Sequence, residues 1–242
     1  MEFTIKIANV NIGVVSLFDE VFDLCKDYLT NEKPDFIVKT QKEDIDFERE
    51  KSRCEAEFEH RVFFDFSDPY LETLSVYRKI ATDLLRFDAF LMHGAVIGLN
   101  GFAYMFTAPS GVGKTTHTNY WLKAFPDAFM INGDKPILRF EGEKVFACGT
   151  PWAGKEGLNK NISLPLKSIC ILTRGDKNEI SPIGFNNIYP LLIGQSYRPK
   201  TAEDINKTMQ FIKKLREITK FYLLKCNLDP NAANVAFEGM NE

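Results

Sequence analysis

The chain has 242 residues, 45% hydrophobic and 26% charged, enough to bury a substantial core in one domain or two small ones. Thirty basic side chains against thirty-three acidic ones leave a formal charge of −3, so no overall field exists to hold nucleic acid or an anionic membrane surface. No apolar run approaches the roughly 20 residues that span a bilayer, and the N-terminus lacks an uninterrupted apolar leader core, which makes the cytoplasm the expected address.

In chain order, the loose alternation of residues 3–18 predicts strands of an N-terminal α/β region, and "HRVFFDF" at 60–66 predicts another. Between them the charged run "KEDIDFEREKSRCEAEFEHR" reads as a solvated face. Asp68-Pro69 then offers a helix start, followed by Leu71, Leu74, Tyr77, Ile80, Leu84 and Phe87 at helical spacing. The pattern changes near residue 88, so the expected division is 1–88, a smaller N-terminal α/β region, and 89–242, the main domain. Five scattered cysteines, Cys25, Cys54, Cys148, Cys170 and Cys226, are never spaced Cys-x-x-Cys and read as free, mostly buried thiols.

From residue 89, "AFLMHGAVIGLNGFAYMFTAP" holds two apolar runs around Asn100-Gly101, the strongest short hairpin signal because both central residues of a type I′ turn need positive φ. The second run feeds into "APSGVGKTT", and "THTNYWLKAF" continues as a helix ending before Pro126. Strand, glycine loop and helix form the context of a phosphate-binding P-loop, in which inward backbone N–H groups and the helix N-terminus hold an anion. Ser110, Gly111, Val112, Gly113, Lys114, Thr115 and Thr116 are the expected nucleotide-binding residues. Lys114 reaches for the phosphates, and the Thr115 hydroxyl is a ligand for Mg²⁺. Ala108 stands where the usual motif has glycine, a small departure that is tolerable if this residue needs no left-handed backbone.

Downstream, 128–131 reads as a buried strand carrying Asp134 just beyond its carboxyl end, the expected second metal ligand or base; the alternative is an aspartate that stabilises the turn before Pro136. A hairpin around Glu141-Gly142 precedes "GTPWAGKEGLNKN". There Lys155 is a candidate for holding the transferring phosphoryl group and Trp152 for lining the site, against the reading of a solvated loop with a packed tryptophan. "SICILTRG" and "KFYLLKC" read as strands, Thr201/Asp204 as a capping box opening a helix, and Asp229-Pro230 as the start of a last one. Arg198 and Arg174 stand as weaker candidates for a second phosphate contact.

"HGAVIGLNGFAYMFTAPSGVGKT" resembles the catalytic core of bacterial HPr kinase/phosphorylase, in which a His-Gly precedes a hairpin running into the P-loop. "PSGVGKTT" also looks like the kinase loop of ATP-dependent phosphoenolpyruvate carboxykinases, which share that fold. With "NGDKPIL" and "GTPWAGKEGLN", the stretch 89–165 is most similar to bacterial HPr-kinase-like proteins. The resemblance implies an α/β HPr-kinase/PEP-carboxykinase-like P-loop core that uses ATP and Mg²⁺, with His93 beside the phosphates. It also implies two adjacent aspartates where this chain has Gly133-Asp134. The expected activity is transfer of the γ-phosphate to a hydroxyl on a protein, a peptide or a small molecule, with His93, Asp134 and Lys155 as catalytic residues and Thr115 and Asp134 as metal ligands. The alternatives are a nucleotide-sensing module with little turnover, motivated by Gly133, and carboxykinase-like chemistry. Expected partners are nucleotide and an unspecified hydroxyl acceptor, without nucleic acid or membrane, and homo-oligomerisation stays open.

Overall fold

The computed structural model describes residues 1–241, which form two compact units, 1–83 and 84–241. In the first, β1 (Glu2–Ile7) and β2 (Val10–Val15) form an antiparallel hairpin whose turn residues, Ala8 and Asn9, both have positive φ. Helix α1 (Asp19–Leu24) follows, and β3 (Phe36–Lys39) adds to β2 in parallel. The charged run forms α2 (Lys42–Phe58), whose few buried positions include Ile45 and Ala56, and Asp68-Pro69 opens α3 (Asp68–Asp83). Glu72 of α3 is fully buried, yet it accepts the N–H groups of Leu17 at 2.6 Å and Phe18 at 2.9 Å and the Thr40 hydroxyl. Such bonds offset the cost of placing a carboxylate inside.

The strand expected at 60–66 does not form. Residues 61–67 are irregular, and Val62 and Phe64, the apolar half of the alternation, face solvent. Alternation specifies a strand only where a neighbouring strand and a covering layer reward it, and residues 61–67 pair with no strand among the described residues.

The second unit carries the nine-stranded, curled sheet. Strands β4 (Ala89–Leu91), β5 (Ala95–Leu99) and β6 (Phe102–Thr107) lead to α4 (Lys114–Ala124). Then come β7 (Phe129–Asn132), β8 (Ile137–Glu141), β9 (Lys144–Cys148) and β10 (Ser163–Arg174). The chain closes with β11 (Glu179–Pro182), α5 (Phe185–Gln195), α6 (Ala202–Ile218), β12 (Lys220–Cys226) and α7 (Ala232–Asn241). Strand order is β4-β8-β9-β10-β6-β5-β7, with β12 also paired to β10 and β11 to β12. The long β10 makes the curl: its first residues pair antiparallel with β9, and from Leu166 it pairs in parallel with β6, through a register shift near Lys167, and from Ser168 also with β12.

The β5–β6 hairpin turns on Asn100 and Gly101, both at positive φ, as the sequence predicts. Its strands are almost wholly apolar because both faces are covered. Met105, Ile169 and Ile171 meet Phe211, Ile212 and Leu215 of α6 on one face, with Ile188 and Leu192 of α5. On the other, Tyr104, Phe106, Cys170 and Leu172 meet Trp121 of α4 and Ala233, Ala236 and Met240 of α7. All five cysteines are free thiols. Burial pushes the Cys25 thiol up to about 12 and Cys148 to about 11, so both behave as small apolar groups. Among the described residues, no helix is long and apolar enough to cross a membrane.

Candidate functional site

Because β5 is antiparallel to both β6 and β7, the carboxyl ends of β6, β7 and β10 share one end of the sheet with the start of β5. Crevices at that end are where open α/β sheets bind ligands. The chain leaves β6 at Thr107 and turns through 108–113 into α4. Gly111 has φ +77° and Gly113, the residue preceding the helix, has φ +120°, conformations that L side chains rarely adopt. Ala108 is fully buried and is not among the positive-φ residues, so a methyl group fits where the motif has glycine. The first-turn N–H groups of a helix have no intrahelical partners, and here no side-chain cap accepts from them either. Trp121 anchors the helix, fully buried among Tyr104, Phe106, Phe125 and Phe237, and its Nε1 donates to Nε2 of His117 at 3.1 Å.

Lys114 curls back, its Nζ donating to the Ala108 carbonyl at 2.9 Å. Burial pulls its pKa down, and the charge of Asp134 opposes that shift. Asp134 sits in a turn organised by Asn132, whose Oδ1 accepts from the N–H of Asp134 at 2.9 Å and of Lys135 at 2.7 Å. The backbone N–H of Gly94 donates to the Asp134 carbonyl at 3.0 Å, which brings His93 alongside; His93 Nδ1 lies 2.9 Å from Asp134 Oδ1. Lys135 pairs with Oδ2 of the same carboxylate. Burial works against the Asp134 charge, but the His93 hydrogen bond and the charge and hydrogen bond of Lys135 outweigh it and hold the carboxyl well below the usual range.

Residues 149–162 form a loop closed at its neck by bonds from Gly149 N–H to the Ile162 carbonyl and from Lys160 N–H to the Ile131 carbonyl, both at 3.0 Å. Fully buried Asn132 fastens it with Nδ2, which donates to the Thr150 carbonyl at 2.9 Å and hydroxyl at 3.0 Å, and the Thr150 hydroxyl donates to the Lys135 carbonyl at 2.8 Å. The loop lies tight on Gly133, where an added Cβ would stand 2.8 Å from the Ala153 carbonyl oxygen.

Between glycine loop, Asp134 turn and the 153–158 segment lies a cleft of about 430 Å³, within the ordinary range for small-ligand sites. Of the residues predicted from sequence, His93, Ser110, Gly111, Gly113, Lys114, Thr115, Asp134 and Lys155 line it. Val112 instead packs its side chain against the α4-side core, which leaves only its backbone for a ligand, and Thr116 is exposed outside the lining. Trp152 does not line the cleft; its side chain is buried, as the packed-tryptophan alternative expects. Arg198 is exposed, whereas Arg174 donates to the Gly111 carbonyl at 2.9 Å. Asn132 and Thr150 organise the site, although neither was singled out from sequence; their only signal was their place in the segments "NGDKPIL" and "GTPWAGKEGLN". A larger, more open groove of about 770 Å³ at the start of β12 contains none of the predicted residues.

No protein-family model matches the sequence, and no curated protein matches it. Among solved structures, the Hpr(Ser) kinase/phosphatase from Coxiella burnetii is similar to this chain with a TM-score of 0.38 and 12% identity. The similarity covers 61% of this chain and 94% of that one.

Among the described residues, no three His, Cys, Asp or Glu side chains are grouped as a metal cage. The donor set fits a different kind of metal. Mg²⁺ is commonly held by one or two protein oxygens together with substrate phosphates and water, and Thr115 and the ionised Asp134 line the same cleft.

Proposed function

We propose that the chain is an ATP- and Mg²⁺-dependent P-loop phosphotransferase of the HPr-kinase/PEP-carboxykinase kind, which moves the γ-phosphate to a hydroxyl of a protein, a peptide or a small molecule. The observation that carries this reading is the glycine loop opening α4, with Gly111 and Gly113 at positive φ and Lys114 facing an ionised aspartate across one cleft. The amides of residues 110–114 and the α4 N-terminus hold the phosphates, and Lys114 exchanges the Ala108 carbonyl for a phosphate oxygen. Thr115 and Asp134, together with the nucleotide phosphates, would hold Mg²⁺, which would supply neutralising charge there. The acceptor oxygen bonds to the γ-phosphorus as the bond to the leaving diphosphate breaks, and its proton passes to Asp134, which His93 positions. Phosphoryl transfer asks mainly for positioning and charge, so a single carboxylate suffices. Lys155, exposed at the tip of the covering loop, steadies the transferring group.

A sensor with little turnover is favoured by one observation. Both oxygens of the lone carboxylate are already paired, with His93 and Lys135. Labelled ATP and Mg²⁺ incubated with the protein and cell extract decide between the readings. The kinase delivers γ-phosphate to an acid-stable product, and Lys114→Ala abolishes it. The sensor is stabilised by ATP, by about 2.7 kcal/mol at 100 times its Kd, without transfer. Indifference of wild type to millimolar nucleotide sinks both.

A further inference from the structure

We infer that Arg174 is a positioning residue of the glycine loop, which fixes the peptide between Gly111 and Val112 so that the Val112 N–H faces the phosphates. This rests on the nucleotide-binding reading above and assigns to Arg174 a role other than contact with phosphate. Gly111 stands at the apex of the loop with φ +77°, and the space where a Cβ would lie is empty for 4 Å. A glycine peptide in such a place flips readily, because no side chain resists the rotation. Two anchors act on it here. The Val112 side chain packs into the α4-side core, and Arg174, from the carboxyl end of β10 and 63 residues away in sequence, donates from Nη2 to the Gly111 carbonyl at 2.9 Å. A trans peptide directs its C=O and the following N–H to opposite sides. Holding the Gly111 carbonyl on Arg174 therefore keeps the Val112 N–H on the opposite side of the peptide, over the loop's own Pro109 carbonyl. That N–H makes only a long, 3.5 Å bond to the Pro109 carbonyl, the length of a donor ready to exchange to a better acceptor. β10 lies beside β6 in the sheet, so the guanidinium reaches the loop from a rigid neighbour.

The test compares Arg174→Met, Arg174→Gln and Arg174→Lys in the full chain, with ATP and inorganic tripolyphosphate, each with Mg²⁺, as probes. Arg174 is exposed, so the variants keep the fold, checked by the melting temperature of the ligand-free protein. Arg174→Met weakens both probes roughly tenfold, whereas Arg174→Gln, a neutral donor able to hold the carbonyl, stays within about threefold of wild type. In ligand-free Arg174→Met the Val112 amide exchanges with solvent faster than in wild type, and in Arg174→Gln it does not. Equal affinity of Arg174→Met and wild type overturns the inference. So does rescue by Lys but not by Gln, the mark of a charge acting directly on phosphate. If wild type binds neither probe, the nucleotide reading has failed, and the amide exchange of the ligand-free variants still decides the clamp.

Discussion

Gly133→Ala probes how tightly the covering loop is set on the Asp134 turn. The added methyl group would lie 2.8 Å from the Ala153 carbonyl oxygen and 3.6 Å from that of Leu158, and the first distance is shorter than real Cβ contacts allow. The obstacle is backbone, so no rotamer change relieves it. Gly133 is not at positive φ, which removes backbone strain as an explanation. The loop must move, and Asn132 and Thr150 resist that movement through bonds of 2.9 and 3.0 Å. Overpacking of this kind costs about 1–3 kcal/mol, a fall in Tm of roughly 2–12 °C for a chain of this size. Thermal denaturation measures it, and limited proteolysis between Gly154 and Leu158 reports the loop displacement. Gly133→Asp, which would create two adjacent aspartates, suffers the same clash and yields no gain in phosphotransfer. If Gly133→Ala matches wild type within about 0.5 kcal/mol and is cut no faster, the packing argument is wrong.

Asp134→Asn lowers turnover by several orders of magnitude while nucleotide affinity changes by about tenfold or less, read as a split between kcat and KM; rapid transfer by this variant would place the essential carboxylate elsewhere. Asn132→Ala removes a fully buried side chain that bonds both the Asp134 turn and Thr150, and destabilises by about 2–4 kcal/mol in urea titration, with loss of activity even where folding is restored by cooling. Burial depresses His117 from the ordinary imidazole value of 6.5 to about 4. The unfolded chain thus binds the extra proton between these values, so the His117 contribution is complete above pH 6.5 and is lost as pH falls through about 4, on the order of 3 kcal/mol in all. His117→Gln, which keeps an acceptor for Trp121, flattens stability across that window; an unchanged slope would show that His117 is not the group responsible.

How far the sequence reaches depends on the range of the interaction. The Asn100-Gly101 hairpin, the glycine loop between strand and helix, and the turn carrying Asp134 were legible because each is set by residues a few positions apart: positive φ at glycine or asparagine, a free helix N-terminus, a proline. The strand expected at 60–66 shows the limit, since alternation describes a surface but does not provide the neighbouring strand it must pair with. Which side chains meet was decided by the sheet. Parallel pairing of β6 with β10 carries Arg174 to Gly111, and the register of β5 against β6 and β7 carries His93 to Asp134. Gly133 marks the division most clearly. As a letter it reads as a missing carboxylate, and only the path of the loop across it, with the Ala153 carbonyl filling the space of a Cβ, gives the steric reason that no side chain fits there.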